Sequence, residues 1–442
     1  MGSKVKLLAS EMADIAAGSL HGPDVTVDGA AIDSRVLRPG ALFVPVVAER
    51  DGHDFIDAAL AAGAAAYLTA RSPSTGTGIA VADTSAALTD LGRRARGRLP
   101  GPVIGVTGSA GKTSTKDMLG AVLHPEFPTV VSERSFNNEL GVPLTLFNAD
   151  DGTRLAVLEM GARGFGHIAW LCEIARPDVG VVTNVAAAHI EMFGDLDGVA
   201  RAKGELVAAL PKTGTAVLNA NDDRVMLMAS RSAAPVLTFG VAAGDVRAVD
   251  RSLDDELRVS FRLESPWGKA DVRLEARGLH QAANAAAAAA AALAIGVEFE
   301  RVVANLEHAA ISPWRMEVTH TATGALVIND AYNANPASVS AAFEALRAAP
   351  AERRIAVLGP MLELGASSAA EHHGVGSIAK QMGIRLIAVG APEYGADEEV
   401  DSVDEALGLI ADLGDGDAVL VKASRAAGLE RLAARLSEGG TW

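Results

Sequence analysis

The chain has 442 residues, of which 49% are hydrophobic and 21% are charged. This is enough apolar material for several cores, so the chain is not mainly disordered. At about 100–200 residues per domain, we expect two to four domains. With 39 basic and 55 acidic residues its formal net charge is −16, which disfavours a protein whose main task is to bind a nucleic-acid backbone. Cys172 is the only cysteine, so no intrachain disulfide can form and we expect a reducing compartment.

The first 20 residues do not resemble a secretory leader, because Glu11 and Asp14 interrupt any apolar segment there. No run of 18 or more apolar residues occurs elsewhere, and the alanine-rich stretch 282–295 contains Asn284 and is too short to span a bilayer. We therefore expect a cytoplasmic protein without a transmembrane segment, and we expect it to be a monomer.

The first part of the chain reads as a small α/β unit. Glycine- and proline-rich turns separate three short strand-like runs, at 41–47, 65–70 and 78–83. A basic helical patch at 93–98 is followed by Leu99-Pro100-Gly101-Pro102, which is typical of a linker. We place the first domain at residues 1–99.

The second part, residues 100–311, has the rhythm of a parallel sheet. Helix-like segments separate the buried-strand patterns at 103–106, 155–158 and 179–182. Alternation of polar and apolar residues within 241–277 predicts antiparallel hairpins attached to this sheet. Eight consecutive alanines, 285–292, predict a closely packed helix.

The third part, residues 312–442, predicts a second doubly wound unit. Its strand-like runs alternate with helical segments such as 338–347, and they lie at 326–328, 355–358, 386–389 and 418–421. The expected fold is α/β in three domains: the small N-terminal unit, a central domain with a mostly parallel sheet and added antiparallel strands, and a C-terminal Rossmann-like domain.

The sharpest local motif is the glycine-rich segment 105–113, between a strand and a helix expected from Ser114 to Leu123. Glycines let the backbone approach an anion, and the start of the helix supplies positive potential. Lys112 can reach β- and γ-phosphates, and the Thr113 hydroxyl suits Mg²⁺. Val106 stands where the common spacing of a P-loop has glycine. The pattern predicts a nucleotide phosphate site; the alternative is an ordinary strand-to-helix turn.

Three residues are candidates for magnesium binding. Glu159 closes an apolar strand, as an acidic metal ligand would, although a solvated acid at a strand end is the alternative. His189 follows the next strand, where a loop or core histidine is also common. Lys203 lies on a predicted helix, where a surface lysine is the alternative.

Taken in order and spacing, these segments resemble the Mur ligases, and the resemblance extends over essentially the whole chain. It rests on the segments 108–115, 135–143, 158–161, 183–189 and 202–205. Further segments resemble the branch of the family that joins D-alanyl-D-alanine to UDP-N-acetylmuramoyl-tripeptide: Asp33-Ser-Arg35, Asp51-Gly-His-Asp-Phe55, Asn329-Asp-Ala-Tyr-Asn-Ala-Asn-Pro336 and Met361-Leu-Glu-Leu-Gly365.

The resemblance implies the cofactors ATP and two Mg²⁺ ions. It implies that Lys112, Glu159, His189, Lys203 and Arg315 are catalytic, and that His189 and Lys203, the latter matching a lysine carbamylated in several Mur ligases, hold the second ion. Thr113 and Glu159 would lie at the first ion. The implied ATP contacts are the loop Gly108, Ser109, Ala110, Gly111, Lys112, Thr113 and Ser114, with Asn284 at adenine, Arg315 at the γ-phosphate and Asp330 at ribose.

The resemblance also implies substrate contacts and a reaction. UDP-N-acetylmuramoyl-tripeptide and D-alanyl-D-alanine would be bound by Ser34, Arg35, Asp51, His53, Asn137, Asn138, Tyr332, Asn333 and Asn335. ATP would convert the tripeptide carboxylate into an acyl phosphate, which the amine of the dipeptide then attacks, in the synthesis of a peptidoglycan precursor. For some residues the alternative is a purely structural role: a surface ion pair for Arg35, turns for Asn333 and Asn335, and a helix start for Asn335-Pro336.

Three departures from the family pattern leave other activities open. They are the segment 44–50, Pro360 after Gly359, and Ala423 in Lys422-Ala-Ser-Arg425. A sister ligase with a different amine acceptor is the nearest alternative, and a P-loop phosphotransferase or nucleotide hydrolase is another. A binding protein without catalysis would have no physical need for Lys112, Glu159, His189 and Lys203 together.

Overall fold

A computed structural model describes residues 6–187 and 190–437 of the chain. The N-terminal part contains strands β1 (Lys6–Leu8), β2 (Ser19–His21), β3 (Thr26–Asp28), β4 (Ala30–Ala31), β5 (Leu42–Phe43), β6 (Ala66–Thr69) and β7 (Gly78–Ala80), and helices α1 (Ala9–Ile15), α2 (Ile56–Ala61) and α3 (Thr84–Arg96). β1 pairs with β3, and a second sheet has the order β2-β7-β6-β5-β4. The strand predicted over 41–47 is therefore too long. Pro45 has no amide hydrogen to donate, so the ladder stops there.

The central sheet consists of β8 (Val103–Thr107), β9 (Thr129–Val131), β10 (Leu155–Glu159), β11 (Val179–Val182), β12 (Thr215–Asn219), β13 (Val236–Gly240), β14 (Val246–Leu253), β15 (Arg258–Ser265) and β16 (Gly268–Arg277). Their order is β16-β15-β14-β13-β12-β11-β8-β10-β9. β14, β15 and β16 pair antiparallel, and the other neighbours pair parallel. The predicted antiparallel addition to a parallel sheet is confirmed.

The helices of this part are α4 (Lys112–Leu123), α5 (Gly141–Phe147), α6 (His167–Ala175), α7 (Ile190–Phe193), α8 (Leu196–Ala208), α9 (Asp223–Leu227), α10 (His280–Ala294) and α11 (Phe299–Glu307). The eight alanines lie in α10 and are fully buried, in the same core as α4 and strands β8 and β14. Because a methyl side chain is small, α10 can approach both layers closely and bring its first turn beside α4.

The C-terminal sheet consists of β17 (Glu317–His320), β18 (Leu326–Asn329), β19 (Arg353–Leu358), β20 (Arg385–Val389), β21 (Glu398–Val400) and β22 (Asp417–Lys422). Its order is β17-β18-β22-β19-β20-β21, with only β17 antiparallel to its neighbour among the described strands. Its α-helices are α12 (Pro336–Ala348), α13 (Ser368–Gln381), α14 (Val403–Leu409) and α15 (Glu430–Ser437).

Short 3-10 helices complete the described secondary structure, at Gly52–Phe55, Met228–Arg231, Gly365–Ser367, Pro392–Tyr394 and Arg425–Ala427. Each described sheet lies within one of the ranges 1–99, 100–311 and 312–442, and this division of the chain remains a prediction. In the described part of the chain, no helix combines the length and apolar character needed to cross a bilayer.

Cys172 on α6 provides a probe of the central core. Its sulfur lies 4.0 Å from that of Met160, and burial raises the pKa of the thiol to about 12. Because the thiolate is the reactive form, we expect a thiol reagent at pH 8 to modify the native protein more than about 100-fold more slowly than the denatured protein. Stopped-flow absorbance with a chromogenic disulfide measures both rates, and equal rates would contradict the buried position.

Candidate active site

A cavity of about 700 Å³ is lined by residues of both the central and the C-terminal sheet units. Its charged lining residues are the cations Lys112, Arg163, Lys203, Arg315, Lys422 and Arg425 and the anions Glu159, Asp330 and Glu363. Six cations against three anions give a formal local charge of +3, in a chain whose total is −16. The cavity therefore suits anionic ligands despite the acidic protein around it.

The glycine-rich loop, called the phosphate loop after the site predicted there, joins β8 to α4 at the edge of this cavity. Gly108 and Gly111 have φ angles of 152° and 79°. A Cβ atom at Gly108 would lie 1.8 Å from the Thr183 hydroxyl oxygen, and one at Gly111 would lie 2.4 Å from Asn284 Oδ1. Only glycine fits at either position. The loop leads directly into α4, whose first N–H groups have no partner within the helix and can donate hydrogen bonds to an anion.

The segment after β11 holds this loop in shape. The Ser109 N–H donates to the Asn184 carbonyl at 3.0 Å, and the Ala110 N–H donates to Asn184 Oδ1 at 2.9 Å. The Ser109 hydroxyl donates to the Ala186 carbonyl at 2.9 Å. β8 and β11 are neighbouring parallel strands, so their carboxyl ends meet at the crevice where such sheets bind ligands.

Lys112 and Thr113 open α4 and face the acid at the end of β10. The Lys112 ammonium donates to the Gly108 carbonyl at 2.8 Å, and burial lowers its pKa, against the opposing effect of Glu159. The Thr113 hydroxyl donates to Glu159 Oε2 at 2.8 Å. Asn137 donates its amide N–H to Glu159 Oε1, also at 2.8 Å. A hydroxyl and a carboxylate are thus held together beside the phosphate loop.

Lys203 on α8 lines the same cavity and is 2% exposed. Burial, followed by the nearby charge of Lys112, lowers its pKa well below the usual value for lysine. Burial therefore favours the neutral amine more than it would in an exposed lysine. His189, the other candidate for the second ion, lies outside the described residues. Within the described ranges, no three His, Cys, Asp or Glu side chains form a metal cluster by themselves.

The first turn of α10 forms the wall beside α4. Asn284 donates its amide N–H to Gln281 Oε1 at 2.9 Å and accepts from the Thr115 hydroxyl at 3.5 Å. His280 is buried next to them, which lowers its pKa, and its Nδ1 has no hydrogen-bond partner within the described structure. Asn284 therefore has a defined orientation towards the cavity.

The C-terminal unit contributes Arg315 and Asp330 from the opposite side. Arg315 Nη2 donates to the Thr113 hydroxyl at 2.8 Å, across 202 positions of sequence. Asp330 follows β18, and its Oδ2 lies 2.5 Å from the ammonium of buried Lys422. Candidates that are distant in sequence, on both units, thus meet in one cavity.

Tyr332, Asn333 and Asn335 also line the cavity. Asn335 caps α12 by accepting the Ser338 N–H at 2.9 Å, with Pro336 as the first helical residue. The helix-start alternative is therefore confirmed, and Asn335 lines the cavity at the same time. Met361 to Leu364 form no helix, and Glu363 there has a φ angle of 66°.

The N-terminal candidates lie apart from this cavity. Arg35 forms a bidentate contact with Asp33, and its side chain is 86% exposed. Asp51 accepts the His53 N–H at 2.9 Å and His53 Nδ1 at 2.7 Å, and the backbone bond is the main cause that lowers the pKa of Asp51 to about 2. Among the described candidates, those absent from the cavity lining are Ser34, Arg35, Asp51, His53, Gly108 and Asn138.

Asn138 has a local structural contact, since it accepts the N–H groups of Leu140 and Gly141 at the start of α5. Several further residues that line the cavity were given no role from the sequence: Ser135, Asn184, His280, Gln281, Lys422 and Arg425. Asn184 directly follows a strand next to β8, which was a usable signal. Lys422 and Arg425 belong to the C-terminal unit, so their place in the cavity depends on how the two units pack.

Comparison with known proteins places this geometry in a family. The model of the Mur ligase middle domain matches residues 106–292, and that of the Mur ligase glutamate ligase domain matches residues 314–425. The chain is 37% identical to UDP-N-acetylmuramoyl-tripeptide–D-alanyl-D-alanine ligase of Escherichia coli (strain K12), over 99% of this chain and 100% of that protein. It is 39% identical to the protein of the same name from Mycobacterium tuberculosis (strain ATCC 25618 / H37Rv), over 97% of each.

Solved structures agree in fold. A crystal structure of MurF from Acinetobacter baumannii has a TM-score of 0.89 at 32% identity, with 99% of this chain and 100% of that chain covered. MurF from Thermotoga maritima in complex with ADP has a TM-score of 0.81 at 31% identity, with coverage of 93% and 97%. The expected fold class and the resemblance read from the sequence are both confirmed, and the chain belongs to the Mur ligase family, within its MurF group.

Proposed function

We propose that this chain is an ATP-dependent ligase that adds D-alanyl-D-alanine to UDP-N-acetylmuramoyl-tripeptide, forming a peptidoglycan precursor, ADP and phosphate. The observation that carries the proposal is the meeting of the phosphate loop with Arg315 and Asp330 in one cationic cavity between two sheet units. Relatives that bear this name match almost the whole chain, and a similar MurF was solved with ADP.

The residues beside the phosphate loop fit the Mg²⁺ ions that the family implies. The Thr113 hydroxyl and the Glu159 carboxylate are hard oxygen donors only 2.8 Å apart. Lys203 has a buried amine with a lowered pKa, which suits reaction with carbon dioxide to a carbamate, another oxygen donor. Thr113 and Glu159 would hold one ion, and carbamylated Lys203 with His189 a second. Bound there, Mg²⁺ would neutralise charge on the phosphates.

The cavity meets the main physical demand of the reaction, which is to bring a carboxylate to a triphosphate. Lys112 supplies fixed positive charge from the central unit and Arg315 from the C-terminal unit. The tripeptide carboxylate attacks the γ-phosphorus, and the bond to the β,γ-bridging oxygen breaks, giving an acyl phosphate and ADP. The amine of the dipeptide then attacks the acyl carbon, loses a proton and expels phosphate. The two units enclose the acyl phosphate and limit hydrolysis by water.

Other residues have proposed binding roles. Asn284 would contact adenine and Asp330 the ribose of ATP. Ser34, Arg35, Asp51 and His53 would bind the UDP-sugar part of the first substrate, outside the cavity, with Asn137 and Asn138 closer to the reacting carboxylate. Tyr332, Asn333 and Asn335 would face the dipeptide. We further propose that the active form is a monomer.

The test is phosphate release by the purified chain with ATP and Mg²⁺, with either substrate omitted in turn. We expect release only when both UDP-N-acetylmuramoyl-tripeptide and D-alanyl-D-alanine are present, because the acyl phosphate needs the first and turnover needs the second. Mass spectrometry should identify the pentapeptide product.

Parallel reactions with other amines separate the alternatives. Faster product formation with another amine would assign the chain to a sister ligase. Release that is indifferent to both substrates would indicate a nucleotide hydrolase and contradict the acyl-phosphate mechanism.

A further inference from the structure

The backbone that presents Arg315 is strained on both sides of that residue. Trp314 and Met316 have φ angles of 59° and 56°, in the left-handed region that bulky side chains rarely occupy. Two bonds to the loop after β18 hold them there: the Tyr332 N–H donates to the Trp314 carbonyl at 3.2 Å, and the Met316 N–H donates to Asp330 Oδ1 at 3.2 Å. The loop that carries Tyr332 therefore holds the backbone around Arg315.

The side chain of Tyr332 orients the guanidinium itself. The Arg315 Cζ atom lies 4.1 Å from the centroid of the Tyr332 ring, in cation–π contact. Arg315 Nη2 reaches the Thr113 hydroxyl at 2.8 Å, and its buried Nε has no partner among the described residues. The ring therefore lies beneath the guanidinium and limits the directions that it can take.

The hydroxyl of Tyr332 connects the C-terminal unit to the central one. It forms a hydrogen bond with the hydroxyl of Ser135, which lies between β9 and α5. The segment containing Ser135 is fixed to the phosphate-loop helix, because the buried Lys116 ammonium donates to the Ser132 carbonyl at 2.8 Å and to the Arg134 carbonyl at 3.3 Å. Tyr332 is thus tied to the same helix that carries Thr113.

We propose that Tyr332 is a positioning residue for Arg315, and that its hydroxyl contact with Ser135 locks the two units together while the acyl phosphate forms. The inference rests on the proposed ligase function. It gives Tyr332 a task in the ATP-consuming half of the reaction, in addition to the dipeptide contact proposed for its motif. Loss of either hydroxyl should slow the same step, because the hydrogen bond between the two units needs both hydroxyl groups.

The test compares full-length Tyr332→Phe, Ser135→Ala and the double variant. We expect each to lower kcat by about fivefold, as for one lost hydrogen bond, and the double variant to lose no more than either single one. The KM for D-alanyl-D-alanine should stay unchanged in Ser135→Ala, because no dipeptide contact is proposed for Ser135. Positional isotope exchange in β,γ-bridge-labelled ATP, with tripeptide but without dipeptide, should slow by the same factor. Ser135→Thr keeps a hydroxyl and should restore both rates.

A matched control is Tyr67→Phe, since Tyr67 is a buried tyrosine whose hydroxyl accepts the Ser74 N–H at 3.2 Å within the N-terminal sheet unit. It should leave kcat and the exchange rate unchanged. A raised KM for the dipeptide with normal exchange in Tyr332→Phe would make Tyr332 an acceptor contact only and overturn the inference, as would additive losses in the double variant. Failure of the parent enzyme to ligate would overturn the proposed function as well.

Discussion

Replacement of Lys112 by alanine is expected to lower kcat/KM for ATP by about 1000-fold, as for loss of one preorganised charge at a reacting phosphate. The Lys112 ammonium is held 2.8 Å from the Gly108 carbonyl, directly inside the phosphate loop. No other described cation has this position. Arg315 approaches from the other unit and Lys203 from α8, so neither can take the place of Lys112. Initial rates of ADP formation at varied ATP measure the effect.

The control for this prediction is Lys212→Ala. Lys212 is an exposed lysine in the same sheet unit, so its loss removes one positive charge without touching the cavity. It should leave kcat/KM for ATP within about twofold, because exposed charges farther than a Debye length of about 8 Å are screened by salt. A Lys112→Ala variant that retains more than a tenth of the parent activity would contradict the role proposed for this side chain.

Replacement of Lys203 by alanine is expected to reduce ligation by about 1000-fold, because a carbamate on this lysine would supply an oxygen ligand for Mg²⁺. Burial and the charge of Lys112 lower the pKa of this amine, which favours the neutral form that reacts with carbon dioxide. With ¹³C-bicarbonate, NMR should detect a carbamate carbon in the parent and not in the variant. Activity of the parent should fall in buffer depleted of carbon dioxide and return when bicarbonate is added.

Without metal and bicarbonate, the buried Lys203 side chain should lower the free energy of unfolding. The pKa of Lys203 is lower in the folded state than the ordinary value of 10.5, so below that value the unfolded chain binds more protons and stability rises with pH. In metal-free, bicarbonate-free buffer at pH 7, Lys203→Met should therefore unfold at a higher denaturant concentration than the parent. The difference should shrink as the pH approaches 10.5.

A carbamate signal that persists in the NMR spectrum of Lys203→Ala would contradict the assignment of Lys203 as the modified lysine.

Two departures from the family pattern lie in packing positions rather than at the cavity. A Cβ atom on Gly359 would lie 2.8 Å from the Ala423 methyl group, and Ala423 is fully buried. The Pro360 carbonyl accepts the Ser424 N–H at 3.0 Å. Neither Pro360 nor Ala423 lines the cavity. Ser424 and Arg425 do line the cavity. Pro360 and Ala423 could therefore change the acceptor preference only by shifting these two residues.

Elements with local signals could be predicted from the sequence. The phosphate loop needs glycines, a lysine and a hydroxyl at set spacings, and the strands around it are short apolar runs, so both were recognisable. Strand ends were less predictable. The strand expected over 41–47 is only Leu42–Phe43, because one proline ends the hydrogen-bond ladder inside an otherwise apolar run.

The sequence by itself determined the fold class and the family, and it predicted a nucleotide phosphate site around Lys112 and Thr113, because each depends on residues close together in the chain or on motifs in a fixed order. Only the tertiary structure decided which distant side chains touch. The Arg315–Thr113 bond spans 202 positions and the Tyr332–Ser135 bond 197. Such contacts depend on how the two sheet units pack against each other. The local pattern of side chains does not determine the distance or the angle between these units.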